Sequence, residues 1–69
     1  MVNHVKLEIA IQIVAEKISD IYQKIEQTKN SAELEIYKRE LIVAYDERDK
    51  VAVGDYETIE KVLKERSSR

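Results

Sequence analysis

The chain has no cysteine, proline, tryptophan or phenylalanine, and only one glycine and one histidine, in its 69 residues. Without cysteine there is no disulfide, no thiolate metal site and no thiol nucleophile. Without proline, and with the single glycine at Gly54, nothing interrupts a helix over residues 1 to 53 except the polar joint Thr28-Lys29-Asn30-Ser31. A lone glycine also removes the Gly-rich loop that would cradle a phosphate. His4 has no histidine or cysteine with which to share a metal, and no loop has calcium-binding spacing. Ser19 has no histidine within helical reach, and acids such as Glu40 and Glu47 fall on helix surfaces where charge is normally solvated. No enzyme, no cofactor and no metal site is therefore expected.

Long hydrophobic runs are missing too. No segment approaches the roughly 20 apolar residues that span a bilayer. The apolar N-terminal stretch is broken by Lys6, Glu8 and Gln12, so it does not form the continuous core of a secretory leader. The expectation is a cytoplasmic protein without a membrane partner. Neither sign of charge dominates: 12 basic residues face 14 acidic ones, for a net charge of -2. A net-acidic chain with no basic stripe argues against binding the phosphate backbone of a nucleic acid.

What the chain does have is helical periodicity. Leu7, Ile11, Val14, Ile18, Ile21 and Ile25 are spaced 4, 3, 4, 3, 4, and Leu34, Tyr37, Leu41, Ala44, Arg48 and Val51 are spaced 3, 4, 3, 4, 3. These are the apolar seams of two helices packed along their length. The spacing predicts a first helix over about 5–27, with Asn3 as a possible cap, and a second over about 31–53. Asn30 followed by Glu33 has the form of a capping box, and Gly54 suits the left-handed position just past a helix end. Asp55 then caps a short third helix over about 55–65, with Tyr56, Ile59, Val62 and Leu63 as a narrow stripe. In an antiparallel hairpin Ile25 meets Leu34, Ile18 meets Leu41 and Ile11 meets Arg48.

The first helix is apolar on a second side. At about 100° per residue, Val2, Val5, Ile9 and Ile13 fall opposite the main seam, and on the second helix Ile36 and Val43 lie behind theirs, with Ile42 to one side. A helix apolar on two sides is usually buried on two sides. Either the third helix folds back over this rear patch or a second subunit covers it. A chain of this length buries only about 60% of its unfolded surface and is marginal alone. With disulfides and thiolate metal sites excluded, association is the aid left. Val2, Val5, Ile9, Ile13, Ile36 and Val43 are the candidate interface.

Arg48 interrupts the second seam. It either forms a buried ion pair, with Glu8 or Glu16 as partner, or sits at the seam edge with its stem over apolar surface. The four tyrosines, Tyr22, Tyr37, Tyr45 and Tyr56, are the only aromatics, and most lie on or beside seams.

One conflict stays open in the sequence. Val5, Leu7, Ile9, Ile11 and Ile13 alternate with Lys6, Glu8, Ala10 and Gln12, which is also a strand pattern. A strand followed by two helices resembles the plan of the dimeric ribbon-helix-helix DNA-binding regulators, which implies a strand over 5–13 paired across a dimer. Against it, no turn separates residue 13 from the helical pattern beyond, and Lys6 is the only basic outward residue. The preferred expectation is an all-α domain: a long antiparallel helical hairpin plus a short third helix, self-associating, with a dimer favoured. Its expected role is protein–protein interaction, as an adaptor, regulator or assembly factor.

Overall fold

The polar joint is where the chain turns. In a computed structural model, which describes residues 4–67, helix α1 spans His4–Gln27, α2 spans Ser31–Ala52 and α3 spans Tyr56–Ser67. No strand occurs among the described residues. Residues 5–13 are the first turns of α1, so the alternating pattern there is not a strand and the ribbon-helix-helix reading is overturned. The physical reason is continuity. The same helical hydrogen bonding runs unbroken from His4 to Gln27, and the 3–4 spacing that starts at Leu7 buries Ala10, Val14, Ile18 and Ile21 on one side.

The ends of the helices follow local chemistry. Asn30 is extended (φ -97°, ψ 121°) and its side-chain oxygen accepts from the backbone N–H groups of Ala32 at 2.8 Å and Glu33 at 3.4 Å. The capping box is not reciprocal, however. The Glu33 carboxylate is held by the Thr28 hydroxyl at 2.8 Å, and it is the Thr28 oxygen that accepts from the Asn30 N–H, at 3.4 Å. At the other end of α2, Gly54 takes φ +81°. The Gly54 N–H donates to the Val51 carbonyl and the Asp55 N–H to the Lys50 carbonyl, each at 3.0 Å. This pair of bonds is the Schellman arrangement, and it turns the chain back toward α1. The Asp55 carbonyl accepts the first α3 bond from Ile59, and its carboxylate accepts from the Thr58 hydroxyl.

Side-chain contacts give the directions. Lys17 of α1 meets Glu47 of α2, and Lys24 lies over Tyr37, so these two helices are antiparallel. Lys6 meets Glu60 and Lys17 meets Glu65, so α3 runs parallel to α1 along its first half. The result is elongated, 44 × 22 × 15 Å, with a radius of gyration of 13.2 Å against about 11 Å for a sphere-like chain of this length. The core is Ala10, Ile13, Val14, Ile18 and Ile21 of α1, Ala44 and Val51 of α2, and Ile59 and Val62 of α3. Leu7, Ile25, Tyr37, Leu41, Tyr45 and Leu63 pack against it half-buried. No helix of the described residues is long and apolar enough to cross a membrane.

Three positions expected on or beside seams lie elsewhere. Ile11 of the α1 seam, Tyr22 beside that seam and Tyr56 of the α3 stripe are exposed. Ile11 and Tyr22 lie on the flank away from α3 and stay about two-fifths exposed.

Candidate functional site

Helix α3 has 12 residues against 24 in α1 and 22 in α2. It therefore covers the open half of the hairpin and stops where Glu65 reaches Lys17. Past that point the same side of the hairpin is a groove of about 800 Å³. Helical spacing builds it. Ile13, Lys17, Ile21 and Lys24 stand on one flank of α1, and Ile36, Glu40, Val43 and Glu47 on the facing flank of α2. Ile13 and Ile21 form its buried floor, while Ile36 and Val43 are 54% and 57% exposed on its wall. Glu16, Asp20, Arg39 and Glu65 complete the rim.

At the junction between α3 and the groove sits the one buried charge of the described residues. Glu47 is 7% exposed. Its Oε1 accepts from the Lys17 ammonium at 3.2 Å, and the same ammonium donates to Glu65 Oε2 at 3.0 Å. One lysine thus ties all three helices together. Desolvation, the largest single influence on Lys17, pulls its pKa down, but the hydrogen bonds and charges of Glu65 and Glu47 outweigh it and hold the ammonium above its ordinary 10.5. The other carboxylate oxygen, Oε2 of Glu47, is sealed from solvent and meets no donor in the protein.

The opposite edge of the hairpin is closed by aromatics. The Tyr22 and Tyr45 hydroxyls are 2.7 Å apart in one hydrogen bond, and the Arg48 guanidinium lies 4.9 Å over the Tyr45 ring. The Tyr45 bond, with some desolvation, raises the Tyr22 pKa above 10.0. Arg48 is therefore an exposed edge residue in a cation–π contact, not half of a buried ion pair. Both 44-48-51 and 44-47-51 keep the 3–4 rhythm of a seam. The chain buries Glu47 because Lys17 faces it, and Arg48 turns outward onto Tyr45.

The candidate interface residues separate into three groups. Ile13 is buried within the chain's own core, where it forms part of the groove floor, so it is not an exposed residue of the rear patch. Val5 and Ile9 remain exposed on α1, and Ile36 and Val43 remain exposed at the groove. Val2 lies outside the described residues. His4 is exposed and approaches Glu8 at 3.9 Å. Among the described residues no three His, Cys, Asp or Glu side chains converge as a metal site would need. Lys17 and Glu47 carry the site; Lys17 was not singled out by the sequence, and Glu47, expected on a solvated helix surface, is instead buried against the Lys17 ammonium. Their only signal was position, one turn from Ile13 and Ile21 and one turn from Ala44 and Val51.

Compared with known proteins, the chain matches no protein-family model, no curated protein and no solved structure. An apolar floor takes aliphatic or aromatic side chains, and a charged rim orients them.

Proposed function

We propose that this chain is a small protein–protein interaction module, an adaptor, regulator or assembly factor that works through its helix faces and performs no chemistry of its own. The observation that supports this most is the apolar surface left at helical spacing after α3 has folded back. Val5 and Ile9 are one turn apart on α1, and Ile36 and Val43 are two turns apart beside the groove, all of them exposed. Apolar pairs at such spacing are what a partner helix reads. The elongated shape and thin core add weight, because a small chain gains most from burying further area by association. A cytoplasmic location goes with this reading, as does the absence of nucleic-acid binding, which the acidic balance favours.

The Val5–Ile9 edge is the proposed self-association surface, with a dimer as the product. Sedimentation equilibrium at tens of micromolar should then return a mass above the 8.1 kDa of one chain. The Val5→Glu, Ile9→Glu double variant should return the single-chain mass with its helical circular-dichroism spectrum intact. A wild-type chain that stays single at these concentrations removes self-association from the reading. A gel shift at physiological salt should show no sequence-selective DNA binding.

A further inference from the structure

Deepening that reading, we propose that the groove along the loop half of the hairpin is the docking site of a cationic amphipathic helix supplied by a partner protein, with an arginine or lysine of that helix meeting Oε2 of Glu47. The shape argument comes from α3 itself. The flanks of α1 and α2 that hold α3 over the open half continue past Glu65 into the groove, so the surface already accepts a helix in its first half. Ile36 and Val43 are seven residues apart, about 10 Å along the axis. A partner helix with apolar residues at i, i+4 and i+7 presents knobs at that interval.

The charge argument selects the partner. The groove is lined by five carboxylates and three cations. Lys17 is shared between two of these carboxylates, Glu47 and Glu65, and Lys24 lies over Tyr37, so the groove keeps an acidic excess. Glu47, nine-tenths buried, retains an oxygen with no donor. A buried carboxylate oxygen left unpaired is costly, and a charge-assisted bond from a guanidinium is among the strongest ways to satisfy it. The carboxylate must turn toward the groove to meet it, which the docked helix stabilises by excluding water. A second copy of this chain fits less well, because it would set one acidic rim against another. Anionic surfaces, whether lipid or nucleic acid, fail on the same sign.

The probe is a synthetic helical peptide of about four turns, with leucines at i, i+4 and i+7 and arginines flanking them. Its control carries glutamates in place of the arginines. Fluorescence anisotropy against the full chain should show saturable binding of the arginine peptide, weakening as salt is raised, and at least about tenfold weaker binding of the glutamate peptide. Glu47→Gln should lower the affinity about tenfold, and Ile36→Ser with Val43→Ser should abolish it. Glu57→Gln, outside the groove, should change nothing. Amide shifts on the wild-type chain should move at Ile21, Ile36 and Val43 and stay still at Tyr56, which keeps the proposal testable where Glu47→Gln does not fold. Equal binding of the two peptides, no binding of either, or shifts centred away from the groove overturns it. Loss of self-association in the Ile36→Ser, Val43→Ser variant also overturns it, since a second copy would then be the occupant. The Val5–Ile9 sedimentation result stands or falls separately.

Discussion

The open half and the loop half of the hairpin are made from the same two helices with the same seam spacing, yet they differ in depth. In the open half Ala10, Val14, Val51, Ile59 and Val62 are sealed completely. In the loop half Ile25, Leu34, Tyr37 and Leu41 are only half-buried, and Ile36 and Val43 face solvent. The difference is α3. Two helices bury one line of side chains between them and leave both flanks open. A third helix laid on one flank converts that line into a core with three walls. Past the contact of Glu65 with Lys17 the core thins to Ile18 and Ile21, and the groove begins.

The sharpest way to break this comparison is to cut equivalent side chains from the two halves. Ile59→Ala removes a fully buried side chain from α3 and should destabilise the chain by about 2–5 kcal/mol, measured by urea unfolding. Ile36→Ala in the loop half should change stability by no more than about 0.5 kcal/mol, as exposed positions do. Amide exchange should follow the same division, slowest around Val14 and Val51 and faster toward Thr28. Equal costs at Ile59 and Ile36 would mean that the loop half is packed as tightly as the open half.

How much of this was legible depends on what kind of information each feature needs. The three helices, the Asn30 cap and the left-handed Gly54 are written within a few residues of one another, and local spacing was enough to place them. The depth of Ile13 against Ile9 was not, because both lie on the same rear side of α1 and only the packing of the three helices decides which is covered. Glu47 and Arg48 show the same limit more sharply. Either fits the seam rhythm, and the choice rests on Lys17, thirty residues away in the chain. A charge's burial depends on a partner that periodicity does not carry.

That triad gives the next prediction. Lys17→Met leaves Glu47 buried without the ammonium that neutralises it and unties α3 from the hairpin. Destabilisation of about 1–3 kcal/mol is expected, the range for stranding a buried polar group. Adding Glu47→Leu should recover most of the loss, because a well-packed apolar pair often replaces a buried ion pair without cost. A double variant as unstable as Lys17→Met alone would show that the lysine acts chiefly through Glu65.

A smaller effect separates backbone strain from packing at the α2–α3 turn. A methyl group added at Gly54 meets nothing within 4 Å, so space is not the constraint. The φ of +81° is. Gly54→Ala should therefore cost about 1–2 kcal/mol, the penalty of a left-handed L-residue, and Gly54→Asn should cost less. Thermal unfolding of the two variants decides it, and an unstrained alanine would mean that the Schellman turn had rearranged.

The smallest expected effect is a pH dependence that compares the two edges of the hairpin. On the aromatic edge the Tyr45 hydrogen bond, helped by desolvation, keeps Tyr22 protonated above its ordinary 10.0. On the groove edge desolvation opposes the charged form of Lys17, but Glu65 and Glu47 outweigh it and hold the ammonium above 10.5. Both groups bind their proton more tightly in the folded chain than in the unfolded one. Each contribution is thus fully present below the ordinary value and is lost as pH rises through the raised one. From these two groups, stability should stay level from neutral pH to about 10 and fall beyond it. Urea midpoints measured across that range should show the decline in the wild type, with Tyr22→Phe removing its earlier part and Lys17→Met its later part. A decline that both variants retain unchanged would place its origin outside the two edges.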